Sequence, residues 1–338
     1  MATSGTQLFK VNRDQLILSA LRLCGAVDPE AAAVVSTTQT DNAAQALNMM
    51  VKSWEAKGLQ LWEKRYAVLF PQLNQSQYVL GSPGPSGDHA CLSTPLGTGF
   101  VQTTVVSQTG LTLVVDTTST VATAGIPAIT IASTWNIGIQ QTDGSLFWTT
   151  VNGAPVGNTI TLTATSGTNA TAGSYVYAYQ TKLFRPLRIT DGFVRQAAST
   201  NDVPITIISR ENYNRFGNKT STGTPIQAMY DPQLTTGYLY LYPAPSTVAQ
   251  LIYLEIQKPI DDFSTSTDDY DLPQEWVEAL KFNLALRLAP EYRVPRETYD
   301  QIKELAVATY TLIDSWDQEQ ASVSFGPNLP QYSSGYGK

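Results

Sequence analysis

Hydrophobic and polar positions recur in two rhythms along this 338-residue chain. Near the N-terminus Leu16, Ile17, Ala20, Leu21 and Cys24 return every three to four residues, which gathers them on one face of a helix. Asn12 followed by Gln15 supplies a capping box, and Gly25 closes the helix. Ala43, Leu47, Met50, Val51 and Trp54 predict a second helix from about Thr38 to Lys57, ended by Gly58. A third starts at Asp271-Leu272-Pro273, with Asp271 as cap, and stops before Pro290; Val277, Leu280, Leu284 and Leu288 form its stripe. A fourth runs from about Pro295 to Gln320, with Tyr299, Ile302, Ala306, Thr309, Ile313 and Trp316 on one side. None of these stripes can be buried alone, so the N-terminal pair is expected to pack on the C-terminal pair.

Between them the rhythm changes to alternation and β-branched runs. Trp62 to Phe70 and Tyr78 to Leu80 read as strands, as do Ile205 to Ser209, Ala228 to Tyr230, Tyr238 to Tyr242 and Gln250 to Gln257. From Cys91 to Thr181 the strands are short. Asp143-Gly144 and Asn152-Gly153 mark hairpins there. This stretch predicts an all-β, sandwich-like module, with Trp135, Phe147, Trp148, Tyr175, Tyr177 and Tyr179 arguing against a disordered linker. The reading is thus α+β: a discontinuous helical bundle domain (1–61 and 264–321) with an inserted β domain (62–90 and 182–263). That β domain itself carries the inserted module at 91–181, and the module is expected to be removable.

Composition sharpens this picture. Charged residues are only 14% of the chain, against roughly 25% in an ordinary soluble domain. The deficit is concentrated in the module, where Asp116 and Asp143 are the only charges and about a quarter of the residues are threonine. Net charge is −7, which argues against a groove that grips nucleic-acid phosphates. The start has neither a basic nor an apolar segment of a secretory signal, and no apolar run approaches the roughly 18 residues of a membrane span. Two cysteines, Cys24 and Cys91, make no disulfide framework and suit a reducing compartment.

Little of the chain offers catalytic chemistry. The single histidine, His89, lies in a Gly/Pro-rich turn and reads as a solvated loop residue. Three His and Cys in all are too few for a structural zinc, which takes about four such ligands. Ser82 and Ser86 stand on no nucleophile elbow, and Gly97-Thr-Gly99 lacks the third glycine of a dinucleotide loop. Asp261-Asp262 and Asp268-Asp269-Tyr-Asp271 match no calcium loop and read as a solvated turn ending in a helix cap. Exposed Trp135, Phe147 or Trp148 would let the module stack on sugar rings, the alternative being that they are core. No catalytic residue, cofactor or metal is assigned. After the fourth helix, residues 322–338 are too rich in Gly and Pro to be helical yet carry Phe325, Leu329, Tyr332 and Tyr336. They read as an extended arm that docks on a partner.

Three groups of residues carry a family likeness. The segment Trp54-Glu-Ala-Lys-Gly58-Leu59-Gln-Leu61-Trp62 resembles the start of head-to-tail adaptor proteins of short-tailed bacteriophages, of the tail tubular protein A kind. Val203-Pro204-Ile, Ser209-Arg210-Glu-Asn-Tyr213, Asn218-Lys219, Gly223-Thr-Pro225, Tyr230-Asp231 and Leu239-Tyr-Leu-Tyr242-Pro243-Ala-Pro245 are similar to the β region of that group. Leu272-Pro273-Gln-Glu-Trp276 and Ala285-Leu-Arg287-Leu-Ala-Pro290-Glu-Tyr292 are similar to its closing helices. The resemblance implies a virion protein, not an enzyme, assembled with itself into a ring, usually of twelve copies. That ring sits at the head–tail junction between portal protein and tail nozzle, after assembly in the host cytoplasm. DNA would pass through its lumen without sequence-specific binding, no membrane would be involved, and the arm with Phe325, Leu329, Tyr332 and Tyr336 would reach the portal. A tail hub or stabilisation protein, or a carbohydrate- or receptor-binding β protein, is the alternative.

Overall fold

A computed structural model of the protein describes residues 9–28, 35–57, 64–82, 87–122, 127–197, 201–268 and 272–316. The chain divides into two compact units, one of residues 1–61 and 262–338, the other of residues 62–261. The expected architecture, a helical bundle domain carrying an inserted β domain, is not what forms. The protein is mostly β, with sheets of eight and six strands, and only 26% of the described residues are helical. The reason is physical weight: the strands between Lys64 and Gln257 own three apolar clusters and make up the body, and the helical stripes at the two ends are the smaller part.

In the helical unit, α1 (Arg13–Leu23) begins at the predicted box. Asn12 Oδ1 accepts from Gln15 N at 2.8 Å, and Gln15 Oε1 accepts from Asn12 N at 3.1 Å. α2 (Thr37–Lys57) buries Ala43, Leu47, Met50, Val51 and Trp54. A short 3-10 turn, Gln274–Trp276, leads into α4 (Val277–Leu288), and α5 (Arg296–Trp316) closes the unit. Trp54, from near the start of the chain, meets Trp276 at 5.7 Å and Tyr310 at 5.6 Å between ring centres. The amide of Asn48 is matched by one backbone: it donates to Phe263 O at 3.1 Å and accepts from Phe263 N at 2.9 Å.

The other unit starts with β1 (Lys64–Leu69), β2 (Gln77–Leu80) and β3 (Ala90–Ser93). Next come β4 (Phe100–Thr109), β5 (Thr112–Val115), β6 (Asn136–Gln140), β7 (Leu146–Thr150), β8 (Thr159–Thr161) and β9 (Tyr175–Tyr179). The chain then returns through β10 (Arg188–Gln196), β11 (Asp202–Ile207), a helical turn α3 (Arg210–Asn214) and the two-residue strand β12 (Thr222–Gly223). It ends with β13 (Gln227–Pro232), β14 (Gly237–Tyr242), the short β15 (Ala244–Pro245) and β16 (Gln250–Gln257). The large sheet has the order β2-β14-β13-β11-β10-β16-β1-β3. It curls until its ends meet, where Asp88 N donates to Val79 O at 3.0 Å. Ala67, Leu69, Tyr78, Leu80, Ile205, Leu239, Leu241, Ile252 and Leu254 fill its interior.

The module is a second curled sheet, not a sandwich. Its order is β7-β6-β9-β4-β5-β8. The two edges are stitched by Asn152 N to Thr161 O at 2.8 Å and Thr163 N to Thr150 O at 2.9 Å. Val101, Leu113, Trp135, Ile137, Ile139, Ile160 and Val176 occupy the inside. A six-stranded sheet closed on itself needs no second layer to bury its apolar face.

Strand parity then makes the two curled sheets one body. In β1, Ala67 and Leu69 face the large interior, while Val68 and the following Phe70 face out. In β16, Ile252 and Leu254 face in, while Leu251 and Tyr253 face out. In β9, Val176 and Ala178 face the small interior, and Tyr177 and Tyr179 face out. The outward residues of both sheets meet in one cluster with Cys91, Phe100, Leu146 and Val248. Phe70 sits at its centre, 1% exposed, with Phe100, Trp148, Tyr177 and Tyr179 all between 5.3 and 5.5 Å from its ring. The Gln72 side chain pairs with the Leu146 backbone in both directions, at 2.8 and 2.9 Å. The module is therefore not the separable insert expected: removing it would bare the outer face of β1 and β16.

Candidate functional site

His89 is not a solvated loop residue. It follows the turn out of β2, and its ring lies parallel to Trp148 with centres 3.8 Å apart. Nδ1 shares a hydrogen bond with the Tyr179 hydroxyl at 2.7 Å. Burial, with Lys182 nearby, pushes its pKa down to about 3, so the ring is neutral at physiological pH. Trp148 is placed by cross-strand pairing: it sits opposite Gly138, where any Cβ would come within 2.7 Å of the indole. That glycine is an aromatic platform, and the Gly138–Trp148 pairing had no marker in the sequence beyond a glycine inside a strand.

Around this stack opens a cavity of about 550 Å³ lined by His89, Asn136, Trp148, Thr149, Thr150, Thr163 and Lys182. Two of its hydroxyls, Thr150 and Thr163, bond each other at 2.9 Å. Lys182 Nζ donates to Gly87 O. No carboxylate and no serine is among the described lining residues, so no Ser-His-Asp arrangement is assembled there. The sugar-stacking expectation meets the same geometry. Trp135 is core, and the Trp148 ring is engaged with His89 and Gly138.

The remaining candidates are structural. Cys24 and Cys91 are buried and free; burial raises the Cys24 thiol to about 11 and pushes Cys91 up as well. Asp268 caps a turn. It accepts from the backbone N–H groups of Ser264 at 2.8 Å and Thr265 at 2.6 Å, and from both hydroxyls, which holds its carboxyl well below the usual range. Asp261 pairs with Lys258 at 2.9 Å and Asp262 with Lys52 at 3.1 Å. Asp269, Asp271, Gly58, Trp62 and the arm residues Phe325, Leu329, Tyr332 and Tyr336 lie outside the described residues. Among the described residues no group of three or more His, Cys, Asp or Glu could hold a metal, and no helix is long and apolar enough to cross a membrane.

A second concavity, about 520 Å³, lies on the helical unit. Phe9, Val11, Gln15, Leu16 and Ser19 line it from the α1 side, and Gln274, Glu275, Val277, Glu278, Lys281 and Phe282 from the α4 side. Phe9 is 65% exposed, and its N–H is held by Gln274 Oε1 at 3.1 Å. Its surface is mainly apolar with charged residues along it, and an exposed phenylalanine at one end gives it chemistry suited to docking. No protein-family model matches the chain, and no curated protein matches it either.

Proposed function

We propose that the protein is a structural component of a short-tailed phage virion, a head-to-tail adaptor that assembles with itself into a ring between portal and tail nozzle. The observation that carries this reading is the order of the resembling segments along the chain. Their residues also occupy framework positions. Trp54 and Trp276 come from the first and last of them and pack together, and Leu239, Leu241 and Ala244 from the middle one are buried. The helical unit supports assembly: Phe9, Met49, Leu305, Val307 and Leu312 are exposed. A monomer that shows such surface has a use for it in an oligomer. The acidic balance of the chain suits a lumen through which DNA slides without sticking.

The test is mass by light scattering, for the chain alone and mixed with portal protein. A ring that forms alone or on portal is expected. A monomer that stays a monomer in both conditions would sink the reading. Truncation after Ala321, which removes Phe325, Leu329, Tyr332 and Tyr336, is expected to weaken portal binding strongly. Equal binding by the truncated chain would show that residues 322–338 are no docking arm.

A further inference from the structure

Two surfaces of the helical unit face opposite ways. Successive residues on a helix turn by about 100°, so Lys281 and Glu278, two and five residues before Asn283, project roughly 140–160° away from it. Asn283 reaches α5, donating from Nδ2 to Ala306 O at 3.2 Å. Lys281 and Glu278 line the groove shared with α1. The groove and α5 therefore lie on opposite sides of α4.

The far side carries a ridge. On α5, Ile302, Ala306 and Ile313 are buried. Beside them Gln301, Leu305, Ala308, Leu312 and Ser315 recur at spacings of four, three, four and three, and all five are exposed. Leu305 is 46% and Leu312 69% exposed. This second stripe has no charge, and its spacing is that of a helix seam meeting another helix. Glu297 and Glu304 flank its first half.

We infer that the α5 ridge of one copy seats in the α1–α4 groove of the next, which rests on the ring reading and names its contact. Charge selects groove over ridge as the partner surface. Two ridges meeting in parallel would set Glu297 and Glu304 each against its own copy, and meeting antiparallel about Ala308 they would set Glu304 beside Leu312, with no cation on either stripe. The groove instead has a basic end: Lys281, and Arg22 one turn beyond Ser19 on the same face of α1, neither with an ion-pair partner among the described residues. Its other end is acidic, at Glu275 and Glu278 beside Phe9. The acidic first half of the ridge then lies by Lys281 and Arg22, and Leu312 lies by Phe9. Seven residues separate Leu305 from Leu312 on α5, roughly 10 Å, and seven separate Gln274 from Lys281, roughly 10–12 Å through the 3-10 turn into α4, so the two ends register together. A groove and a ridge on opposite sides of the helical unit make a heterologous contact between copies, which closes as a ring when the rotation allows.

The experiment places thiols at the two sites in the full chain, Phe9→Cys and Leu312→Cys, with Cys24 and Cys91 left buried. Under mild oxidation, alone and with portal protein, the double variant is expected to give a covalent ladder. The two single variants mixed should stop at a dimer, and each alone should give none. In the unmodified background, Leu312→Glu is expected to raise the concentration for half-assembly at least tenfold. A ring by light scattering without the ladder overturns the ridge-and-groove contact and leaves the ring reading standing. Dimers from Leu312→Cys alone overturn it in favour of ridge against ridge. A groove thiol already shielded from a small maleimide in the monomer overturns it in favour of the chain's own flanking segment. Failure to assemble at all, with or without portal, removes the ring reading and this inference together.

Discussion

Replacing Phe70 by alanine tests whether the two curled sheets are one cooperative body. The ring is 1% exposed and has four aromatic neighbours within 5.5 Å, all on strands of the smaller sheet: Phe100 on β4, Trp148 on β7, and Tyr177 and Tyr179 on β9. Truncating a buried phenylalanine to alanine costs about 3–5 kcal/mol, the transfer loss plus the cavity left behind. This site is bounded by strands on both sides and collapses poorly, so the upper half of that range is expected. With a urea dependence of about 3 kcal/mol per molar for a unit of this size, the midpoint falls by about 1–2 M. The assay is urea unfolding followed by far-ultraviolet circular dichroism and by tryptophan fluorescence, because Trp148 lies 5.5 Å from the lost ring. Both signals should shift together. Leu234→Ala, at a residue 94% exposed, is the control and should move neither. A shift below about 1 kcal/mol, or a fluorescence transition that keeps its midpoint while the other falls, would refute the shared core.

Gly138→Val would drive a side chain into Trp148 and break its stack on His89, with a cost of about 1–3 kcal/mol and altered tryptophan emission; unchanged emission would contradict the packing. His89 is held neutral in the fold with its pKa lowered to about 3, while the unfolded chain binds a proton below about 6.5. Its contribution is therefore complete above pH 6.5 and is lost as pH falls from there towards 3. His89→Gln should flatten that part of the stability profile, and parallel wild-type and variant profiles between pH 7 and 4 would count against it. Asn48→Ala leaves the Phe263 backbone groups unmatched and should cost about 1–3 kcal/mol of helical-unit stability in thermal melts. Asn12→Ala should cost about 1 kcal/mol by the same measurement.

What could be read from the sequence follows how local each cause is. The start of α1 was legible because Asn12 and Gln15 cap each other three residues apart. The Asp143-Gly144 turn was legible because its glycine takes a φ of +84°, which few other residues accept. The alternation Tyr238 to Tyr242 gave the right strand, and the structure turns its Leu239 and Leu241 into the core. The architecture was not legible, because it is set by pairings across the chain such as Lys64 with Gln257 and Phe100 with Tyr179. Nor was the role of His89, whose partners Trp148 and Tyr179 are distant in sequence. One signal was present and went unread. Tyr175, Tyr177 and Tyr179 alternate with Val176 and Ala178, and two apolar faces on one strand mean that something packs on both. The groove on the helical unit depends on where Phe9 and Phe282 end up together, which no single periodicity states.

The pairing of β1 with β16 has a consequence for how the protein is made. One edge of β1 can pair with β3 (Ala90–Ser93) soon after Leu69, but the partner of its other edge begins at Gln250 and follows the whole smaller sheet in the chain. At roughly 5–20 residues per second, a ribosome leaves that second edge waiting for about 10–40 seconds. The smaller sheet, with all its partners between Phe100 and Tyr179, can close in the meantime. It then presents Tyr177 and Tyr179 as a finished surface to Val68 and Phe70. The larger sheet is thus assembled during translation against a wall that is already standing.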